Sequence, residues 1–367
     1  MLKIMEKRNA RILGVLLSLM LVLGTMCTVP AFADDTIASN EVTTLSEAVV
    51  YNISTADQLI ELQNAVNNQT SSGSADNPTL LNCEVNLLND IDMSGKTWTG
   101  IGVPQQFKGF TGTFNGNGHK ISGISLSNNS NAGPKGGLFN LISNAEVSNL
   151  KLEGSVSSNR FIGGLAGRVI GSLTISNCVV DMQLTLSNGA SNSIGGLVGQ
   201  CGSGAGGGTG TGTGGTTGGT AGGLLISDCA VLGQFTSNTS TNPVGGMVGH
   251  AYADYSVQIV NSYVAASLSC ENGVTAAFVA NNATADDEET EEFEGVAFSN
   301  SYYLASASSA IIGSGVTTYY GTPSSFTAGA LTAAMLNDGR TGDSAAWKTL
   351  NNVNVFDGHS YPALAWQ

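Results

Sequence analysis

Apolar residues in this chain recur in short phrases rather than in long amphipathic stretches. One phrase sets two glycines before an apolar pair: Gly136-Gly137-Leu138-Phe139, Gly163-Gly164-Leu165-Ala166, Gly195-Gly196-Leu197-Val198 and Gly245-Gly246-Met247-Val248. A partner phrase follows each copy, an apolar anchor leading to Asn or Asp: Val147 to Asn149, Ile175 to Asn177, Ile226 to Asp228, Ile259 to Asn261. Counting Ile121 before them and Phe298 after them, the anchors are separated by 26, 28, 51, 33 and 39 residues. Self-similarity at this period describes a stack of like units, none able to bury its apolar face alone. A unit of about 26 to 30 residues with short strands and glycine-rich corners has the size of one parallel β-helix turn. The chain is therefore expected to be all-β, a right-handed parallel β-helix (β-solenoid) of about seven to nine coils. Asn149, Asn177, Asp228, Asn261 and Asn300 should share one corner, where their side chains satisfy turn backbone and stack on one another.

The two outsized gaps have visible causes. Residues 201–223 are a Gly/Thr low-complexity insert and residues 286–294 an acidic loop with seven acids in nine positions. Neither can bury side chains against a neighbour, so both are expected to leave the stack as loops. At the N-terminal side, Ile53 to Asn67 carries Leu59, Ile60, Leu62 and Val66 at helical spacing, with Ser54 and Asp57 as a capping box. This is the expected helical cap of a repeat array, which must not leave a bare strand edge. Glu84 to Ile91 alternates as a strand, Asp92 to Gly95 is a turn, and Thr327 to Leu336 reads as a short helix. Residues 325–367, with Trp347, Phe356, Tyr361 and Trp366, are expected to form an aromatic cap over the last coil.

The first 33 residues read as a signal peptide. Lys3, Lys7, Arg8 and Arg11 precede an uncharged run from Ile12 to Leu23, and Ala31-Phe32-Ala33 supplies a cleavage site after Ala33. The run is shorter than the roughly 20 residues needed to span a bilayer, so no transmembrane segment is expected in the mature chain. Residues 34–48 form a polar leader, and the β-helix domain covers 49–367. Without the first 33 residues, nine Lys and Arg face 26 Asp and Glu, a net charge near −17. Nucleic acid is therefore excluded as a partner, since polyanions repel such a surface.

Five cysteines remain, an odd number that makes no tidy disulfide framework. Cys178 and Cys229 hold equivalent places in successive copies, as two small apolar fillers or as a disulfide. The three histidines, His119, His250 and His359, lie in different segments and match no hydrolase motif. Equivalent positions bring Glu153 and Asp181 into adjacent coils, within the reach a glycosidase carboxyl pair requires. Lys151, Arg160 and Arg168 are the nearby basic residues, and Arg168 can face Glu153 or Asp181 as an ion pair. Asp90 and Asp92 are explained as well by a turn as by a cation site, and the acidic loop lacks any calcium-loop pattern. No catalytic set, cofactor or metal site is expected from the sequence.

The glycine phrases and their partners resemble the GLUG repeat of secreted and surface proteins, mostly bacterial. The stretch from Asn89 through Trp98 and Ile101 to Asn115-Gly-Asn-Gly118-His119 is similar to the module that commonly leads into such repeats. Trp347, Asp357-Gly358 and Tyr361-Pro-Ala-Leu-Ala-Trp366 are similar to the way these arrays finish. The resemblance covers residues 50 to 367 and implies an adhesin-like, non-catalytic surface or extracellular scaffold. Its partners would be a glycan, a host or envelope protein, or another copy of itself. The alternative is a carbohydrate-active β-helix enzyme, a polysaccharide lyase or glycosidase.

Overall fold

Each partner phrase is hydrogen-bonded in parallel to its next copy, so the sequence repeat reappears as registered columns. Val147 pairs with Ile175, Ile175 with Ile226, Ile226 with Ile259 and Ile259 with Phe298. A second column joins Leu152, Val180, Val231, Val264 and Tyr303. The four glycine phrases, at Lys135–Gly136, Ile162–Gly163, Ile194–Gly195 and Val244–Gly245, form a separate five-stranded parallel sheet with the glycine-free strand Thr275–Ala276. The computed structural model describes residues 48–73, 78–128, 133–187, 192–202, 222–238, 242–252, 255–271, 274–282, 295–308, 310–313 and 319–367. These belong to one compact unit, Ser46–Gln367, and are mostly strand. The expected signal peptide, the expected leader up to residue 47, residues 203–221 of the Gly/Thr insert and the acidic segment 286–294 lie outside the described residues.

The glycine pairs are required by close approach. A Cβ on Gly137 would collide with the carbonyl of Gly164, one on Gly164 with that of Gly196, and one on Gly196 with that of Gly246. The backbone N–H groups here point to the next copy, Gly164 to Gly196 O at 3.0 Å and Leu165 to Leu197 O at 3.0 Å. Leu138, Leu165, Leu197 and Met247 are completely buried beside them. The ends of the expected insert, Cys201 and Gly223, belong to strands rather than to a loop, and with Cys201 paired to Val169 and Leu224 to Leu173 the register survives the interruption.

Two expectations are displaced. Ile121 pairs with Ile91 and Leu152, one column beyond the anchors, and Phe114 is the residue that pairs with Val147. The longer Asn115-to-His119 turn shifts the register there, and a chain pattern counts Ile-Ser-Gly as if it were Ile-Ser-Asn. The N-terminal helix spans Ala56–Asn67, with Thr55 as its cap accepting from Gln58 N–H at 3.3 Å. Gln58 Oε1 in turn accepts from Ser54 N–H at 2.7 Å, so the capping box lies one residue later than Ser54 and Asp57. Val49–Ile53 is withheld from the helix because it forms a parallel strand against Cys83–Leu87. Leu59, Leu62 and Val66 face the core, and Asn67 clamps the segment above through Gly100 O and Gly102 N–H.

The C-terminal residues do more than follow the last copy. Strands Val179–Leu186, Ala230–Ser237 and Tyr263–Cys270 bury alternate residues on opposite faces. Val180, Val231 and Val264 enter the main core, while Val179, Leu232, Tyr263 and Ala265 pack against Leu331, Leu336, Trp347, Tyr361 and Leu364. The segment expected as an end cap therefore lies along the side of several successive copies. Among the described residues, no helix is long and apolar enough to cross a membrane.

Replacing Gly196 by Ala should cost at least about 3 kcal/mol, since the obstacle is backbone on the adjacent strand. Gly223→Ala meets only the Ser256 side chain and should stay within about 0.5 kcal/mol. Chemical denaturation of the two variants measures the difference, and equal midpoints would remove close approach as the reason for the glycine pairs.

Candidate functional site

Register brings the predicted carboxyl pair together. Glu153, on Phe139–Ser158, is the direct parallel partner of Asp181, on Val179–Leu186. Lys120 is the partner of Lys151 on the preceding copy. Because alternate residues share a face, the two lysines, Glu153 and Asp181 form one cluster. Glu153 Oε1 receives Lys151 Nζ at 3.0 Å and Oε2 receives Lys120 Nζ at 3.1 Å. Burial works to raise the Glu153 carboxyl, but the hydrogen bonds and charges of Lys151 and Lys120 outweigh it and hold it below its ordinary value. Asp181 is raised instead, first by burial and also by the charge of Glu153, against the pull of Lys151. Lys151 further donates to Val353 O at 3.3 Å, which ties the cluster to the C-terminal segment. Lys120 had no signal in the sequence; only the register of Lys108–Asn128 against the next copy places it here.

Arg168 does not join this cluster, contrary to the expected ion pair. It sits in a different column, with Leu141 before it and Gln200, His250 and Asn281 after it. Its guanidinium lies 5.6 Å from the Phe107 ring centre, a cation–π contact, and burial lowers its affinity for the proton. No carboxylate pairs with Arg160 or Arg168 among the described residues. His250 is largely buried beside Tyr252 and Phe161, its Nδ1 3.0 Å from Asn281 Nδ2, and burial lowers its pKa to about 4. His119 Nδ1 lies 3.3 Å from Asp90 Oδ1, which also accepts Lys120 N–H at 3.0 Å. His359 turns back on Asp357 O at 2.8 Å. Asp92 accepts Ser94 N–H at 2.9 Å and holds the turn before Gly95. Asp90 and Asp92 thus serve local backbone, and no three His, Cys, Asp or Glu converge on a metal position among the described residues.

The Asn column forms the expected corner. Asn149, Asn177, Asp228, Asn261 and Asn300 all take the left-handed conformation, with φ between 46° and 53°. Asn and Asp tolerate that region far better than branched or bulky residues. Direct side-chain stacking occurs at one step, Asn300 Nδ2 to Asn261 Oδ1 at 2.9 Å. Leu150 follows Asn149, but from Asn177 onward the next residue is a small donor reaching back two positions. Cys178 Sγ lies 3.2 Å from Ser176 O, Cys229 Sγ 3.1 Å from Ser227 O, Ser262 Oγ 2.7 Å from Val260 O and Ser301 Oγ 3.0 Å from Ser299 O. Cys178 and Cys229 are free thiols in that column. The C-terminal segment reads the same corner. Trp366 Nε1 donates to Asn177 O at 3.2 Å, and Trp347 Nε1 to Asp228 Oδ1 at 3.2 Å and Asn261 O at 3.1 Å. Arg340 grips both oxygens of Asp228. Asp228 is the one acid in the column, and its partner Arg340 lies 112 residues away, beyond any local sequence signal.

No family model and no curated protein matches the chain. Among solved structures, it is similar to a crystal structure of a Bacteroides ovatus protein provisionally described as an immunoglobulin A1 protease. The identity is 17%, the TM-score 0.49, and the match covers 86% of this chain and 92% of that one. A likeness this slight carries neither a fold assignment nor an activity.

Asp228→Asn keeps the corner conformation and removes the charge that Arg340 holds. The loss should be about 1–3 kcal/mol, with earlier proteolytic cleavage after residue 330 than in the parent. A second test is acid stability. His250 binds its proton less readily folded than unfolded, so stability is complete above pH 6.5 and falls as pH drops from there towards 4. The loss attributable to this residue reaches at most about 3 kcal/mol. His250→Gln, copying its register partner Gln200, should flatten that limb in denaturation midpoints measured from pH 7 to pH 4.

Proposed function

We propose that this chain is an exported scaffold, its first 33 residues removed, whose repeats wind as a right-handed parallel β-helix. It acts without catalysis at the cell surface or outside the cell, for adhesion or ligand binding, as the GLUG-repeat resemblance implies. Its partners are a glycan, a host or envelope protein, or another copy of the chain. One observation carries the reading: two acids of the repeat, Glu153 and Asp228, are spent on the scaffold. Glu153 has an ammonium on each oxygen, and Asp228 holds Arg340 and Trp347. Glu153 engaged in this way is a poor base, because each lysine stabilises its charged form.

One feature favours the enzymatic alternative. Glu153 and Asp181 are register partners whose proton affinities are pushed in opposite directions, the arrangement that separates an acid from a base. Incubating purified residues 34–367 with a panel of polysaccharides separates the two readings. Binding without new reducing or unsaturated ends, unchanged by Glu153→Gln or Asp181→Asn, is the expected outcome. Turnover that either substitution abolishes would replace the scaffold by a lyase or glycosidase.

A further inference from the structure

The five-stranded sheet has a charged residue in a column that is otherwise uncharged. Its first column runs Lys135, Ile162, Ile194, Val244, Thr275, and parallel partners project to the same side. Ile162, Ile194 and Val244 are completely buried. Lys135 is 9% exposed, and no carboxylate lies within ion-pair distance of it among the described residues. An ammonium taken from water without a counter-charge is costly, and a sheet that accepts isoleucine here has an inexpensive alternative. Burial accordingly lowers the proton affinity of this lysine.

The space beside Lys135 explains the exception. Lys135–Gly136 is the edge strand of that sheet, and a cavity of about 590 Å³ opens between it, the turn at Gly95 and the strand at Gly123. Its volume falls within the range of small-molecule sites. Trp98 forms an apolar wall, fixed by its own Nε1 bond to Gly137 O at 2.8 Å. Thr97, Thr99, Ser125 and Ser127 add hydroxyl groups around it. The other cation in the lining, Lys96, is already held by Asp57 at 2.6 Å. The cavity thus offers one uncompensated positive charge, several hydroxyls and an indole.

We propose that this cavity binds a sugar carrying a single carboxylate, a uronic acid residue, with Lys135 as the counter-ion. A single charge suits one ammonium, and a strongly acidic chain disfavours dianions and polyanions. A polyol ring satisfies both hydroxyl walls and the indole, whereas a bare anion would use neither. The assignment rests on the ligand-binding reading of the scaffold and names the ligand class.

Calorimetric titration of residues 34–367 tests it with three probes: a glucuronate-terminated disaccharide, its neutral glucose counterpart, and acetate. The acidic disaccharide should bind saturably and at least tenfold more tightly than either control. Lys135→Met should lose that binding tenfold or more while raising the melting temperature, because methionine suits the apolar column. Lys135→Arg should retain part of it. Binding equal to that of the neutral sugar, equal to acetate, or undiminished in Lys135→Met overturns the assignment. If other polysaccharides bind the parent and Lys135→Met alike while the glucuronide does not, the pocket fails and the scaffold reading stands. If no sugar binds, the pocket assignment fails, while a host or envelope protein or a second copy still fits the scaffold reading.

Discussion

The backbone contact between glycine pairs sets the geometry on which the other features of the repeat depend. Where Gly137, Gly164, Gly196 and Gly246 would carry a Cβ, the carbonyl of the next copy is found instead. Strands that close bring Leu165, Leu197 and Met247 into one continuous column and leave no room for a register slip. A slip by one residue would drive Leu or Ile into the space only glycine permits. The hydrogen-bond ladder and the apolar packing are therefore not independent sources of order. Both follow from copies placed at a separation that a methyl group would prevent.

The corners supply the second requirement. Left-handed Asn and Asp bend the chain between one column and the next, and from Asn177 onward the Cys or Ser after each returns a bond to the backbone. Small size matters here as much as chemistry, since thiol and hydroxyl do the same task in successive copies. The C-terminal segment then uses the carbonyls and the single carboxylate of this corner as docking points. It shields residues such as Leu232 and Tyr263 that a one-sided sheet would leave in water.

What the sequence made legible was what repeats. Columns of Val147, Ile175, Ile226 and Ile259, the Asn corner and the pairing of Glu153 with Asp181 all follow from spacing alone. Spacing misplaces Ile121 because an irregular turn between Asn115 and His119 changes the count without changing the local pattern. The helix began late because Ile53 is claimed by a ladder with Leu87, a partner that helical periodicity does not register. Nearness in sequence points Arg168 towards the acids, yet its own column carries it to the face of Phe107. The grip of Arg340 on Asp228 joins residues with no local relation, and pattern has no access to such a contact.

A repeat also provides its own control for unusual residues, because each copy shows what the scaffold alone requires. Asp228 departs from Asn, and a guanidinium arrives to neutralise the departure. Glu153, with Asp181 beside it, departs from Leu232 and Ala265 further down the column, and two lysines answer Glu153. Lys135 departs from isoleucine and valine, and the described chain sends no carboxylate to meet it. In the first two cases the charge is balanced from within, so folding is sufficient explanation. In the third the balance is missing on the side where the cavity lies, and the physical requirement for a counter-charge points outward, to something the chain binds.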